Sequence, residues 1–161
     1  MADLPKKAGS RERVRAYLET HGLAEGLVEF EQSTKTAQMA ADAMGCELGQ
    51  IVKSLVFVVG DTPVLALVAG DRRGDADAIA AVMGGGKVQF ADADTVRSAT
   101  GFAIGGVSPF DLPEELEVLF DDSLLRFDVV YPAGGTPSSM VRMSRERLLQ
   151  VTGARVARIS Q

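Results

Sequence analysis

The segment Ile51-Val52-Lys53-Ser54-Leu55-Val56-Phe57-Val58-Val59 is almost wholly apolar and rich in β-branched residues. This composition predicts a β-strand that is covered on both faces of its sheet. The turn sequence Gly60-Asp61-Thr62-Pro63 follows it, and residues 64–69 predict the returning strand of a hairpin. This hairpin contains the strongest strand that the sequence predicts.

Shorter elements precede and follow the hairpin. Apolar spacing predicts helices over residues 10–22, 34–45, 75–83, 94–99 and 144–152, with Ser10, Thr34 and Asp75 among the N-caps. Further strands are predicted over residues 28–31, 87–91, 117–120, 127–131, 139–143 and 154–159. Helices and strands are mixed without a regular βαβ repeat. This order predicts an α+β fold, with a mixed, curved, barrel-like sheet surrounded by short helices.

Length and composition suit one ordinary globular domain. The chain has 161 residues, of which 46 % are hydrophobic and 24 % charged. We therefore expect one domain over residues 1–161, with a flexible N-terminal tail at residues 1–9. Cys46 is the one cysteine and His21 the one histidine. A disulfide within the chain and a Cys/His zinc site are therefore excluded, and we expect neither a metal nor a cofactor.

The net charge of −5 argues against a protein that coats nucleic acid, because such binding needs many cations facing phosphates. We expect no DNA partner, whereas a nucleic acid held by a few local contacts stays compatible with this charge. A basic N-terminal stretch contains Lys6, Lys7, Arg11, Arg13 and Arg15. No apolar run approaches 18 residues and the N-terminus lacks the core of a signal peptide. We therefore expect a cytoplasmic protein without membrane association.

Lys53 is the one charged residue of the predicted central strand. Strand alternation places it on the same face as Ile51, Leu55 and Phe57. A lysine on a buried face must reach water, find a partner or lose its proton. Two interpretations remain open: the side chain extends to solvent near the start of the strand, or it faces a pocket floored by the sheet.

The segment Gly101-Phe102-Ala103-Ile104-Gly105-Gly106-Val107-Ser108-Pro109 contains adjacent glycines ahead of a proline. Adjacent glycines let the backbone approach a ligand and turn its N–H groups outward, as in an oxyanion hole. An ordinary structural loop explains the same residues equally well. Gly134-Gly135-Thr136-Pro137 is a weaker version of the pattern and is typical of a hairpin turn.

These segments resemble the YbaK/prolyl-tRNA-synthetase-associated editing domain family. The resemblance covers roughly residues 10–160. It rests on Ile51 to Phe57, Gly70-Asp71-Arg72-Arg73, the loop from Thr100 to Pro109, and Gly134-Gly135, in this order and at suitable spacing. It implies a barrel-like mixed sheet and hydrolysis of the ester that joins a wrong amino acid to tRNA, commonly proline tRNA. With no synthetase attached, the chain is expected to be a free-standing member.

The resemblance also implies site residues. Lys53 matches the functionally essential lysine of the family, and Gly105 and Pro109 match the ends of its substrate-binding loop. Members that clear cysteine tend to carry a tyrosine where this chain has Phe30. Members that clear alanine usually have an asparagine where it has Ser54. The chain matches neither pattern, so the sequence leaves open which amino acid is removed.

The sequence offers no evident nucleophile and no set of metal ligands. We therefore expect water to attack the ester, either directly or assisted by the free hydroxyl of the terminal ribose. Lys53 would hold the phosphate of the terminal adenosine or polarise the ester carbonyl, and backbone N–H groups near Gly105 and Gly106 would stabilise the oxyanion. The predicted substrate-binding residues are Phe30, Thr34, Ser54, Arg72, Arg73, Ser108, Pro109, Gly134, Gly135 and Thr136.

The predicted partners are the acceptor end of an aminoacyl-tRNA and a prolyl-tRNA synthetase, which would add affinity for the tRNA. One alternative is a non-catalytic binding module for tRNA 3′ ends or nucleotides. Another is a different enzyme, in which Lys53 forms a Schiff base. Binding without turnover would identify the module, and trapping with borohydride would identify the Schiff-base enzyme.

Overall fold

The computed structural model describes residues 9–161 and has an α+β fold, as the sequence predicts. The α-helices of this part of the chain are α1 (Ser10–Thr20), α2 (Ala37–Met44), α3 (Ala76–Val82), α4 (Ala93–Thr100) and α5 (Arg145–Thr152). Its strands are β1 (Leu27–Glu29), β2 (Ile51–Val59), β3 (Thr62–Ala69), β4 (Val88–Phe90), β5 (Glu117–Asp121), β6 (Val129–Pro132), β7 (Ser139–Val141), β8 (Met143–Ser144) and β9 (Arg155–Ala157). Short 3-10 helices cover Ala24–Gly26, Leu48–Gln50 and Asp122–Arg126. Lys6, Lys7 and the predicted tail, apart from Gly9, lie outside the described residues.

The β2–β3 hairpin lies in the middle of a mixed, curled sheet. Its strand order is β8-β6-β2-β3-β5-β9, and β4 also pairs with β2. The hairpin is antiparallel, whereas β6 runs parallel to β2 and β5 runs parallel to β3. A separate two-stranded ribbon joins β1 to β7. The mixture of directions explains why the sequence shows no regular βαβ repeat.

Both faces of β2 are covered, as its composition predicts. Val52 and Val56 belong to the larger core cluster, which includes residues of α1, α4 and α5. Phe57 and Val59 face the other way and belong to a second cluster with Ile79 of α3. The strand therefore separates two apolar layers, which accounts for its nearly continuous hydrophobic sequence.

Helix boundaries follow local capping chemistry. Asp75 accepts hydrogen bonds from the backbone N–H groups of the first turn of α3, as predicted. Two other predicted caps are wrong. Gly9 occupies the N-cap position of α1, so Ser10 is its first residue. Thr36, not Thr34, caps α2, because both the N–H and the hydroxyl of Thr34 donate to the carbonyl of Pro137.

One edge of β2 has a gap in its pairing. Ile51 and Val52 pair with β6, and the last three residues of the strand, 57–59, pair with β4. The N–H of Ala91 also donates to the carbonyl of Val56. Because backbone groups alternate in direction along a strand, those of Ser54 point toward the same edge as those of Val56. Among residues 9–161, the gap between β6 and β4 therefore leaves the backbone of Ser54 without a strand partner at this edge.

Candidate functional site

A cleft of about 360 Å³ opens at the gap in the β2 edge. This volume lies in the range of small-molecule binding sites. The start of α2, the first half of β2 and the loop after α4 form its walls. The lining residues are Thr34, Lys35, Thr36, Ala37, Ala40, Ile51, Val52, Lys53, Ser54, Leu55, Gly105, Val107, Ala133 and Met140.

Lys53 lines the cleft and is half-buried. Its ammonium group donates a hydrogen bond to the backbone carbonyl of Arg72, in the turn that follows β3. Burial lowers the pKa of Lys53; the nearby charge of Asp71 opposes this effect, and the charge of Arg73 adds to it. An ammonium has three N–H donors, so two remain for a ligand after the bond to Arg72.

Asp71 holds the turn beside Lys53. Its carboxylate accepts two hydrogen bonds from the guanidinium of Arg126, at 2.8 and 3.0 Å. This bidentate pair lowers the pKa of Asp71, so the carboxylate stays ionised at neutral pH. A Cβ added to Gly49 would come within 2.9 Å of Asp71 Oδ2, so the pair also packs against the segment just before β2.

The loop after α4 brings Gly105 to the cleft. Gly105 has φ +82°, in the left-handed region where glycine is favoured, and both Gly105 and Val107 line the cleft. Gly106 is not among the lining residues, and its N–H donates to the carbonyl of Ala103 at 2.9 Å, which closes a tight turn. The predicted use of the Gly106 N–H for an oxyanion therefore needs correction, and the backbone groups of Gly105 and Val107 are the candidates.

Buried residues anchor both ends of this loop. Phe102 and Phe110 are almost fully buried in the larger core cluster. The guanidinium of Arg13 lies 4.3 Å from the ring centroid of Phe102 and donates to the carbonyls of Thr100 and Gly101, both at 3.1 Å. The exposed tip of the loop is thus fixed by α1 and by the core.

Ser108 and Pro109 lie behind the cleft. Both are buried, and neither belongs to its lining. The hydroxyl of Ser108 donates to the carbonyl of Ala133 at 2.9 Å, and Ala133 itself lines the cleft. Ser108 therefore joins two walls of the cleft instead of facing a ligand.

Of the predicted substrate-binding residues, Thr34 and Ser54 line the cleft. Thr34 is buried and fixed to the carbonyl of Pro137. The hydroxyl oxygen of Ser54 is buried and has no hydrogen-bond partner among residues 9–161. A buried hydroxyl without a partner is costly, so it is a candidate contact for a ligand that can supply one.

The other predicted substrate-binding residues lie outside the cleft lining. Phe30 packs against the apolar cluster that includes Ile51 and Met140. Gly134 and Gly135 form a turn so close to β7 and α1 that added Cβ atoms would come within 2.7 Å of Ser139 and 2.5 Å of Val14. The remaining three are Thr136, whose hydroxyl donates to Ser139 at 2.7 Å, and the exposed Arg72 and Arg73.

The segment from Lys35 to Ala37 forms one wall of the cleft, and none of its residues is among the predicted site residues. Ser33, Thr34 and Thr36 surround Lys35 with hydroxyl side chains ahead of an apolar helix. This pattern is typical of hydroxyl-stabilised turns and helix caps. A lysine held in such a turn is a signal that could have directed attention to this wall.

Two lysines and no acidic residue line the cleft. The protein as a whole carries a net charge of −5. The cleft therefore differs in charge from the rest of the chain, and its lining suits an anionic ligand. Within residues 9–161, no group of three His, Cys, Asp or Glu side chains is placed to hold a metal ion.

The lone cysteine and histidine do not belong to the cleft lining. Burial raises the pKa of the Cys46 thiol, which disfavours the reactive thiolate. The ring of His21 stacks on Tyr17 at the end of α1, with centroids 4.0 Å apart.

The helices of the described part of the chain are all too short or too polar to cross a membrane.

Comparison with known proteins identifies relatives with editing functions. A sequence model described as "Aminoacyl-tRNA editing domain" matches residues 31–151. ProXp-y of Escherichia coli, named a multifunctional Ser/Thr-tRNA deacylase, is 27 % identical over 92 % of each chain. EbsC of Enterococcus faecalis, named as a candidate Cys-tRNA(Pro)/Cys-tRNA(Cys) deacylase, is 25 % identical over 96 % of each chain.

A solved structure has nearly the same fold. It is described as a candidate trans-editing enzyme for prolyl tRNA synthetase, with a TM-score of 0.86 and 42 % identity over 97 % of this chain and 99 % of that one. The family match spans every residue of the cleft lining. The resemblance inferred from the sequence is thus confirmed: the chain belongs to the aminoacyl-tRNA editing domain family.

Proposed function

We propose that the protein deacylates mischarged aminoacyl-tRNA in trans, and that it acts on proline tRNA carrying a small polar amino acid. The observation that carries the proposal is one cleft lined by Lys53 and Gly105, with two lysines and no acidic side chain. Such a lining favours a substrate with phosphates. Membership of the aminoacyl-tRNA editing family supports ester hydrolysis as the reaction.

The reaction is the hydrolysis of an activated ester. The oxygen of a water molecule forms a bond to the carbonyl carbon, and the bond from that carbon to the ribose oxygen breaks. One proton of the water goes to the ribose oxygen, so the products are a free amino acid and a tRNA with its hydroxyl restored. The free hydroxyl of the same ribose can orient the water or relay the proton, so the protein need not supply a nucleophile.

Lys53 suits the stabilisation of negative charge on the ester oxygen. Its hydrogen bond to the carbonyl of Arg72 fixes the ammonium, and its half-buried position strengthens the interaction with a developing charge. The N–H groups of Gly105 and Val107 are further candidate donors on the opposite wall. Removing one such donor from an oxyanion hole typically lowers the rate by ~10²–10³.

Ser54 supports a small polar amino acid as the side chain removed. Ser54 lines the same cleft as Lys53. Its hydroxyl oxygen is buried and has no hydrogen-bond partner among the described residues. A serine, threonine or cysteine side chain could pair with it, whereas alanine would leave it unpaired. The names of the two relatives, which specify Ser/Thr and Cys, agree with this substrate class.

A prolyl-tRNA synthetase is the proposed partner. Acidic residues outnumber basic ones, 22 to 17, so the net charge opposes binding to the body of a tRNA and a partner would supply much of the affinity. The similar solved structure is described as a candidate trans-editing enzyme for prolyl tRNA synthetase, which supports this partner. We expect the protein to deacylate tRNA in the cytoplasm, where charged tRNA is used. Adding the synthetase is expected to lower the KM for mischarged tRNA.

A deacylation screen tests the proposal. Proline and alanine tRNAs charged with Ala, Cys, Ser or Thr are incubated with the wild-type protein, Lys53→Ala and Lys87→Ala. Lys87 is exposed and lies outside the cleft, so its variant is the matched control. We expect hydrolysis by the wild type and by Lys87→Ala, and a folded but inactive Lys53→Ala protein.

Other outcomes of the screen would identify a different function. Binding of aminoacyl-tRNA without turnover by the wild type would indicate a non-catalytic module. A fully active Lys53→Ala protein would remove the proposed role of Lys53. A variant that fails to fold, as judged by circular dichroism, is replaced by Lys53→Met, which keeps the length of the side chain.

A further inference from the structure

Lys35 is the second cation of the cleft and is not among the residues predicted to bind the substrate. It lines the cleft together with Lys53, but unlike Lys53 its side chain is exposed. Its Cε lies 3.8 Å from a Cβ built on Gly105, so the side chain extends over the glycine loop. The two lysines therefore occupy different depths, with Lys53 on the floor of the cleft and Lys35 at its rim.

The backbone around Lys35 is held rigidly. Its N–H donates to the hydroxyl of Ser33 at 3.1 Å, and the N–H of Thr34 donates to the carbonyl of Pro137 at 2.7 Å. On its other side, the hydroxyl of Thr36 caps α2 by accepting the N–H of Met39 at 3.1 Å. These contacts fix the position from which the Lys35 side chain starts.

Lys35 has no acidic partner within 4 Å among residues 9–161. This contrasts with Arg11, Arg13, Arg15 and Arg126, each of which pairs with a carboxylate. The N-terminus of α2 also lines the cleft beside Lys35 and adds a partial positive charge there. The rim of the cleft thus has a cation without an acidic partner in the described part of the chain, in a setting that favours an anion.

We propose that Lys35 binds the phosphodiester that links the terminal adenosine to the rest of the acceptor end, leaving Lys53 to the ester carbonyl. This assignment rests on the proposed function. Lys35 binds the phosphate, and Lys53 stabilises charge on the ester carbonyl. The amino acid is the end of the substrate, so it enters deepest and the ester follows it to the floor. The phosphodiester lies on the side of the tRNA body and therefore meets the rim.

The contrast between two minimal substrates tests this assignment. One is 3′-O-seryl-adenosine, which has no phosphate; the other is the seryl ester of the dinucleotide CpA, which adds one phosphodiester. For Lys35→Ala, kcat/KM on the dinucleotide ester is expected to fall about tenfold, mainly through KM, as for a lost charged hydrogen bond. The loss is expected to be confined to the substrate that carries the phosphate. Lys53→Ala is expected to lose activity on both.

Controls separate a phosphate contact from a general loss of charge. Lys87→Ala removes an exposed lysine outside the cleft and should hydrolyse both esters as the wild type does. Lys35→Arg keeps the cation and should restore most of the dinucleotide activity. Equal losses on both esters, or no loss on either, would overturn the role of Lys35.

A binding measurement distinguishes failure of this inference from failure of the proposed function. The probe is an uncharged, fluorescently labelled CCA trinucleotide, titrated at several salt concentrations. Lys35→Ala is expected to weaken binding and to reduce the slope of log Kd against log salt by about 0.7, the value for one contact to a single strand. This result would support the assignment even if no ester were hydrolysed. Equal binding and equal slopes for wild type and variant would overturn it.

Discussion

At the scale of single residues, two neighbours in β2 present different chemistry to the same cleft. The ammonium group of Lys53 donates a hydrogen bond to the carbonyl of Arg72, which fixes its position. Ser54 has a buried hydroxyl without a hydrogen-bond partner in the described part of the chain. In the described part of the chain, the gap in the β2 edge also leaves the backbone of Ser54 without a strand partner on that side. Two adjacent residues thus bring a cation and a hydroxyl group to this part of the strand.

Ser54 should determine how well the enzyme distinguishes hydroxyl side chains from alanine. We compare kcat/KM for seryl-tRNA with kcat/KM for alanyl-tRNA. In Ser54→Ala, the ratio of these two constants is expected to fall by about tenfold, because the variant loses one hydrogen bond worth ~1 kcal/mol or slightly more. Deacylation of both substrates by wild type and variant is the measurement. A ratio that stays the same in the variant would remove Ser54 from the specificity pocket.

Asp71 should influence the pH dependence of the reaction through Lys53. The carboxylate of Asp71 raises the pKa of Lys53 against the lowering effect of burial. Asp71→Asn removes that charge, so the pKa of Lys53 falls further and its proton is lost at lower pH. Because the charged lysine is the active form, the alkaline limb of kcat/KM should move to lower pH.

The measurement for Asp71→Asn is a pH–rate profile from which spontaneous ester hydrolysis has been subtracted. Asp61→Asn, in the exposed turn between β2 and β3, removes the same charge away from the cleft and is the matched control. We expect its alkaline limb to coincide with that of the wild type. If the alkaline limb of kcat/KM does not move in Asp71→Asn, the proposed effect of Asp71 on the pKa of Lys53 is contradicted.

At the scale of structural elements, the loop after α4 depends on the elements around it. Arg13 of α1 holds its start, Ser108 ties its end to Ala133, and Phe102 and Phe110 anchor it in the core. A rigid frame of this kind can hold an exposed tip in one conformation. The glycines of the tip then have different tasks, since Gly105 lines the cleft and Gly106 closes the turn.

Alanine substitution should distinguish the two glycines. Gly105 has φ +82°, so alanine there is strained by about 1–2 kcal/mol, and we expect Gly105→Ala to lower kcat/KM at least tenfold. Gly106 has no positive φ, and an added Cβ meets Ala103 O at an ordinary 3.6 Å. Gly106→Ala should therefore retain near wild-type activity. Deacylation rates for both variants are the measurement, and equal losses would show that the glycines share one role.

At the scale of the whole molecule, a buried carboxylate ties the end of the chain to the sheet. Asp121 is fully buried at the end of β5. It accepts hydrogen bonds from the N–H of Ile159 at 2.9 Å and the hydroxyl of Ser160 at 2.7 Å, and also from Ser123. Ile159 in turn belongs to the core cluster on the α3 face of the hairpin.

Asp121→Ala should destabilise the fold without changing the cleft. The substitution leaves the buried N–H of Ile159 without its acceptor, and we expect a loss of about 3 kcal/mol in the free energy of unfolding. Urea denaturation followed by circular dichroism is the measurement, with exposed Asp122→Ala as the control. Similar midpoints for the two variants would contradict this role of Asp121.

The sequence by itself determined the fold class, the central hairpin and the family. Strands and helices follow from the periodicity of apolar residues, which is a local property, and the short motifs that include Lys53 and Gly105 were sufficient to indicate the family. Helix ends such as those of α3 were also predictable, because a capping residue acts within one turn of its helix. Thr34 is an exception because the carbonyl of Pro137, distant in sequence, accepts hydrogen bonds from both its N–H and its hydroxyl.

Only the tertiary structure decided which residues face the cleft. The gap between β6 and β4 arises from long-range pairing, and nothing in the sequence of β2 indicates where its edge is free. Close contacts with β7 and α1 hold Gly134 and Gly135 outside the cleft lining, and the bond from Thr34 to the carbonyl of Pro137 places Lys35 beside the cleft. Side chains meet across a fold according to the register of distant strands, so lining residues cannot be assigned from local spacing alone.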